Sequence, residues 1–291
     1  MQDLDIKIQT AIISGIVTII VLFLKGLVRP LWEKHFHNFK LNSDHEHEQR
    51  KQIKEKISEH KVPLIDAAES LNHRLWNFTD NIGEGWHNLN DDEDLNKKYY
   101  IQSFSYRFLA FFAWARKAEK DMIYLDSTIS ESEDLEFIKF IKFLPQIFWD
   151  AAIFDGHTYN NSEDKDHFYR DDFNKLLESL IVDEKVISYT EFTERENNRE
   201  EYKKIYSYLS NISNDKTCLK WQAMQSFHFL LMAFLTKFGY DFQKTSEESL
   251  YSLARKSPKN NLLANVERAV NKIHLNKSKE IKSSIQQLKR I

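Results

Sequence analysis

The sequence predicts an all-α protein: an N-terminal single transmembrane helix followed by a cytosolic helical bundle. Three observations predict it. From Ile8 to Leu24 runs an uncharged stretch of mostly Ile, Val, Leu and Phe. Chain-breakers are scarce, with six Gly and four Pro in 291 residues, too few for a β-sandwich or a loop-rich α/β enzyme. Beyond residue 60 the apolar positions recur at steps of three and four, the period of a helix with one buried face. The expected organisation is 1–32 tail and transmembrane anchor, 33–62 polar juxtamembrane linker or helix, 63–254 cytosolic helical domain and 255–291 basic helical tail.

The anchor comes first. At 1.5 Å per residue, Ile8–Val28 would cover about 31 Å, close to the thickness of a hydrocarbon core. Lys25 and Arg29 lie near its end, where long cations reach the headgroups, and Trp32 falls where interfacial aromatics sit. Asp3 and Asp5 precede the run, and Leu-Lys-Gly-Leu-Val-Arg-Pro-Leu-Trp follows Phe23. Neither flank suits a cleaved signal peptide, which needs a positive leader and a small-residue cleavage site. Lys7 stands ahead of the run; Lys25, Arg29, Lys34 and Lys40 stand behind it. The positive-inside rule then puts the N-terminus outside and the C-terminal domain in the cytoplasm, at an inner (cytoplasmic) membrane. A single cysteine, Cys218, suits that reducing compartment. Ala11 and Gly15, with Ser14 and Thr18, place small residues at helical spacing, a pattern that permits self-packing in lipid.

The body follows as a series of helices. His35–His60 is mostly polar and reads as a juxtamembrane linker running into a charged helix. Pro63 is expected just inside a new helix, with Leu64, Ala68, Leu71, Leu75, Phe78 and Ile82 on one side and Gly83 and Gly85 ending it. The acidic run Asp91–Asp94 favours a helix start. Beyond it Tyr100, Phe104, Phe108, Phe111, Ala115, Ala118 and Met122, widened by Tyr106, Phe112 and Trp114, mark the central helix. Leu135–Phe154 reads as one helix kinked at Pro145. Lys139, Lys142 and Asp150 argue against a second span there, at about 2.5–3.5 kcal/mol each in mid-bilayer. Further helices are expected near 171–181, near 200–210 and over 216–240, where Leu219, Met224, Phe227, Leu231, Phe234, Leu235 and Phe238 face inward. Leu262, Leu263, Val266, Val270 and Ile273, then Ile281, Ile285 and Leu288, predict amphipathic tail helices.

Three of these stretches carry a resemblance. DAAESLNHRLWNF, YYIQSFSYRFLAFFAWARKAEKDMIYLD and CLKWQAMQSFHFLLMAFL, in that order behind an anchor, resemble a scattered set of uncharacterised bacterial single-pass membrane-anchored α-helical proteins. The likeness spans most of 8–238 and rests on aromatic pattern. It implies a bacterial origin and a helical fold, and brings no activity, cofactor or site residue with it.

The charge is unevenly spread. Arg255–Ile291 holds ten Lys/Arg against Glu267 and Glu280, while the chain before it holds 31 against 42 acids. A basic tail on an acidic body has three outlets: an anionic leaflet, a nucleic acid, or the body itself. No aromatics interleave the tail to stack bases.

Reactive motifs are weak. His35, His37, His45 and His47 form two His-x-His pairs, whose i,i+2 spacing does not converge on a helix. Glu84-x-x-His87 has the spacing of one half of a di-iron carboxylate site, but it lies among glycines, and Asp164-x-x-His167 is a loop counterpart. Arg268 and His274 resemble the Arg-x4–6-His element of HEPN-type helical ribonucleases. Arg29 and His35 share that spacing, and eleven Arg with eleven His make such a match expected by chance. The acids Asp155, Asp164, Asp166, Asp171 and Asp172 suit a solvated loop and a helix start. No phosphate loop, nucleophile elbow or cysteine cluster occurs in the sequence. The expectation is therefore no cofactor and no metal. The protein is expected to act by interaction, as scaffold, sensor or membrane effector in a setting such as bacterial stress or phage defence. Its expected partners are the lipid bilayer and a protein or a second copy of itself. A membrane-tethered helical ribonuclease working through Arg268 and His274, with nucleic acid as partner, is the alternative.

Overall fold

The computed structural model describes residues 6–89, 99–123, 130–159, 166–196, 201–210, 212–256 and 259–289. They form an all-α chain in two compact units, 1–52 and 53–291.

The N-terminal unit holds α1 (Ile6–Phe23), a π-helical turn (Leu24–Val28) and the opening of α2 (Arg29–Asn81). Ile8–Gly26 is long and apolar enough to cross a membrane, with a mean hydropathy of 2.1 and none of it buried by protein. Lys25 and Gly26 lie in the π-helical turn, where one extra residue widens the helix.

In the larger unit α2 does not start at Pro63. The helix runs straight through it, and the buried stripe begins ten residues earlier at Ile53, continuing through Ile57, Leu64, Ile65, Ala68, Leu71, Leu75 and Phe78. An interior proline costs about 3 kcal/mol. Burying Ile53 and Ile57 ahead of it supplies a comparable gain, about 1.5–3 kcal/mol for each such side chain. Pro145 behaves differently. The expected single kinked helix is two, α4 (Ser132–Phe143) and α5 (Gln146–Trp149), followed by a 3-10 turn at Ala151–Ile153. Phe137, Ile138, Phe140, Ile141 and Phe143 of α4 pack inside the body.

Two helices form the centre. α3 (Tyr99–Asp121) buries both its apolar stripe and the polar Gln102, Ser103 and Ser105. α9 (Leu219–Phe238) is buried nearly all round, as its lack of a polar face requires. Phe108, Phe112, Phe148, Phe173 and Phe227 meet between them in tilted and edge-on pairs at 4.9–6.3 Å, the arrangement the ring quadrupole favours.

Around this centre stand α6 (Arg170–Ser179), a two-residue β-hairpin of β1 (Ile181–Val182) and β2 (Lys185–Val186), α7 (Tyr189–Glu196), α8 (Glu201–Leu209) and α10 (Glu247–Arg255). The strands are antiparallel, with Ile181 opposite Val186 and Val182 opposite Lys185. The tail supplies α11 (Leu263–Lys272), a 3-10 turn (Leu275–Lys277) and α12 (Lys279–Lys289). These pack on the body: Val266, Val270, Ile281, Ile285 and Leu288 are buried, and α12 lies against α9 and α10.

Candidate functional site

One face of α2 and one face of α3 carry the same short pattern, a serine four residues ahead of an arginine. Ser70 and Arg74 stand on α2, Ser103 and Arg107 on α3, each pair on one side of its helix. The pairs exchange partners. Arg74 Nη2 donates to Ser103 Oγ at 2.7 Å, and Arg107 Nε donates to Ser70 Oγ at 3.0 Å. Arg107 Nη1 also donates to the Ser103 carbonyl at 3.1 Å, and Ser103 Oγ donates to the Tyr100 carbonyl at 3.1 Å. The Arg74 guanidinium lies 4.5 Å over the Tyr100 ring, a cation–π contact that fixes its plane.

These residues wall an open cleft of about 450 Å³, completed by His73, Asn77 and the indole of Trp86. Trp86 meets Tyr100 edge-on at 5.8 Å and is still 48% exposed. No carboxylate lines the cleft among the described residues, and neither arginine forms an ion pair there with a described acid. Glu69, the neighbouring acid, is turned to other partners: its Oε1 lies 3.7 Å from His73, and its Oε2 accepts from Gln243 Nε2 at 2.7 Å. The Asp91–Asp94 run of the sequence lies outside the described residues. Arg107 holds the exposed Tyr99 phenol below its ordinary pKa, whereas burial raises that of Tyr100. Chemically, this is a cationic cleft with aromatic walls, an arrangement whose guanidinium donors can accept an anion.

A second polar cluster is internal. His60 Nε2 lies 2.9 Å from Asp121 Oδ2, and Lys117 Nζ meets the same oxygen at 2.9 Å while also pairing with Glu184 from the hairpin turn. Burial pushes the His60 imidazole down in pKa and works to lower Lys117, but the hydrogen bonds that Lys117 donates to Glu184 and Asp121 hold it above its usual value. The cluster ties α2, α3 and the hairpin together.

The sequence candidates fall as follows. Ile8 and Leu24 are exposed on the N-terminal helix, as is Trp32 at the start of α2. Lys25 sits in the π-helical turn, and Arg29 opens α2. Ala11, Ser14, Gly15 and Thr18 lie on exposed surface of α1, with Thr18 Oγ1 donating to the Ser14 carbonyl at 2.8 Å. A Cβ built on Gly15 meets nothing within 4 Å.

Arg268 and His274 do not share a helix. α11 ends at Lys272, and His274 is exposed in a left-handed turn at φ 61°. Arg268 points to Asp155 at 3.8 Å, both side chains largely exposed. The helical framing that the ribonuclease element needs is therefore missing.

Glu84 and His87 also separate. Glu84 is exposed in a 3-10 turn closed by Gly85 at φ 66°, whereas His87 is buried, its Nε2 donating to the Ile212 carbonyl at 2.7 Å and its ring edge-on to Phe78. His167 is buried among Phe154, Tyr159 and Tyr169, and Asp164 lies outside the described residues. His35, His37, His45 and His47 are exposed along α2. Among the described residues no group of three His, Cys, Asp or Glu is placed to hold a metal.

The arginine cleft escaped the sequence reading because its signal spans two helices. Ser-x3-Arg is unremarkable alone, and only the pairing of α2 with α3 turns two copies into a cleft. Comparison with family models, with curated proteins and with solved structures gave no match to this chain.

Proposed function

We propose that this chain is a single-pass membrane-anchored protein whose helical body faces the cytoplasm and acts by binding, as a sensor or scaffold. The observation that carries the anchor is the 19-residue helix Ile8–Gly26, apolar and not buried by any of the described residues. In water such a helix exposes Ile, Val, Leu and Phe side chains, each of which gains about 0.3–0.6 kcal/mol at the centre of a bilayer. Lys25, Arg29, Lys34 and Lys40 on the C-terminal side favour the cytoplasmic orientation. The binding half rests on the cleft between Arg74 and Arg107, where cationic donors stand ready without a described acid to quench them. The exposed small face at Ala11 and Gly15 supports self-association within the bilayer.

The anchor is tested by fractionation. The full chain should stay in the membrane pellet through alkaline carbonate and high salt, and a chain lacking 1–28 should be released. Release of the full chain by carbonate would overturn the reading. Replacing Ile8–Val28 with an unrelated single span then separates tether from participant. Retained self-association after the swap would place assembly in the body, and its loss would place assembly in the native helix.

A further inference from the structure

We infer that the Arg74–Arg107 cleft binds a nucleotide, with phosphate held across the two guanidinium groups and the base laid against Trp86. The inference deepens the binding half of the reading above and does not depend on the anchor.

Phosphate comes from the donors. Arg74 spends one N–H on Ser103 and faces the Tyr100 phenol with another, and Arg107 spends two, on Ser70 and the Ser103 carbonyl, and faces the Tyr99 phenol with a third. Each guanidinium has five donors in a fixed fork, so several remain for a ligand. The serine bonds and the Tyr100 ring hold the forks in place before a ligand arrives, which lowers the ordering cost of binding. An anion that takes two arginines at once needs oxygens facing in several directions, which a phosphate has and a single carboxylate lacks.

The base comes from the walls. Trp86 is roughly half exposed at the rim of the cleft, and its edge-on contact with Tyr100 leaves an indole face unstacked by that ring. An aromatic face beside a cationic cleft matches a planar ring joined to a phosphate. Asn77 and His73 stand on the same side of α2 with polar atoms for a base edge. At about 450 Å³ the cleft lies within the range of small-molecule sites.

The test uses the full chain in detergent micelles and equilibrium dialysis against ADP, pyrophosphate and adenosine. ADP should bind saturably, pyrophosphate about tenfold or more weakly, and adenosine not measurably. Arg74→Gln should weaken ADP by about tenfold or more in a protein that still melts in one cooperative transition. Trp86→Ala, at an exposed position, should bring ADP down to the level of pyrophosphate. No saturable ADP binding by a protein of normal melting overturns the inference. So does equal binding of ADP and pyrophosphate with no effect of Trp86→Ala, which would leave a bare anion site, or adenosine binding as tightly as ADP. A chain that stays in the membrane pellet yet fails to bind ADP loses this inference alone.

Discussion

His228 shows how far a single residue can depart from its ordinary chemistry in this body. It sits on α9 with 2% exposure, Nε2 3.0 Å from Asn72 Oδ1 and its ring edge-on to Trp76. Burial pushes its pKa down to about 3, so it is neutral when folded and accepts a proton readily only when unfolded. The unfolded chain then binds more protons wherever the pH lies between about 3 and the ordinary histidine value near 6.5, and stability falls as pH falls through that window. Each unit of pH there should cost up to about tenfold in the folding constant from this residue. His228→Gln retains an amide donor for Asn72 and cannot titrate. Urea unfolding at pH 7 and pH 5 should find wild type the more stable at 7 and its advantage shrinking at 5; a gap constant with pH would show that His228 is not held neutral by burial. His60, also lowered by burial, adds the same sign in both proteins and cancels in the comparison.

At the scale of elements, the hairpin turn holds two of the three non-glycine residues with positive φ among the described residues. Asp183 and Glu184 both take positive φ, 47° and 62°, as the two-residue turn between β1 and β2 demands. Asn-Gly is the sequence best suited to such a turn; here the turn is Asp-Glu, and Glu184 reaches from it to Lys117, itself only 8% exposed. Asp183→Val should destabilise the body by about 1–2 kcal/mol, since a β-branched residue resists the left-handed region. Asp183→Asn should be neutral or raise stability by about 0.5 kcal/mol in the same urea titration. Equal effects of the two would remove the strain argument. Neither strand was legible in the sequence, because two residues a side carry no period. What was legible had length: the stripe through Leu64 and Phe78, the aromatic face of α3 and the apolar α9 all emerged from spacing alone. Proline was ambiguous. Pro63 and Pro145 both read as interruptions, yet Ile53 and Ile57 carry the helix through the first while the chain turns at the second. The cleft was hidden because Arg74 and Arg107 lie on two different helices, and nothing in the spacing along either one says that the two will face each other.

At the scale of the whole chain, the basic tail decides between two kinds of molecule. If residues 255–291 were a detachable arm, their cations would serve an outside surface and their apolar residues would add little to the stability of the body. The packing points the other way. Ile281 is fully buried, Ile285 and Leu288 nearly so, and α12 lies along α9, the most enclosed helix of the described residues. Asn265 donates to the carbonyls of Ile153 and Asp155 at 3.0 and 2.8 Å, and Asn260 donates to Gln225 Oε1 and Ser226 Oγ at 3.1 and 2.9 Å. Part of the tail's charge is met by acids, through Lys256 with Asp80 at 2.7 Å and Lys289 with Glu267 at 2.7 Å. Such exposed pairs contribute only about 0–1 kcal/mol each, so apolar burial rather than charge should hold the tail in place. Ile281→Ala is the discriminating change. It should cost about 2–5 kcal/mol, the range for emptying a buried aliphatic site, and the body and tail should still unfold together in one urea transition. High salt should leave that cost nearly unchanged. A loss below about 1 kcal/mol, or a separate early transition for the tail, would return residues 255–291 to the status of an arm free to meet lipid or nucleic acid.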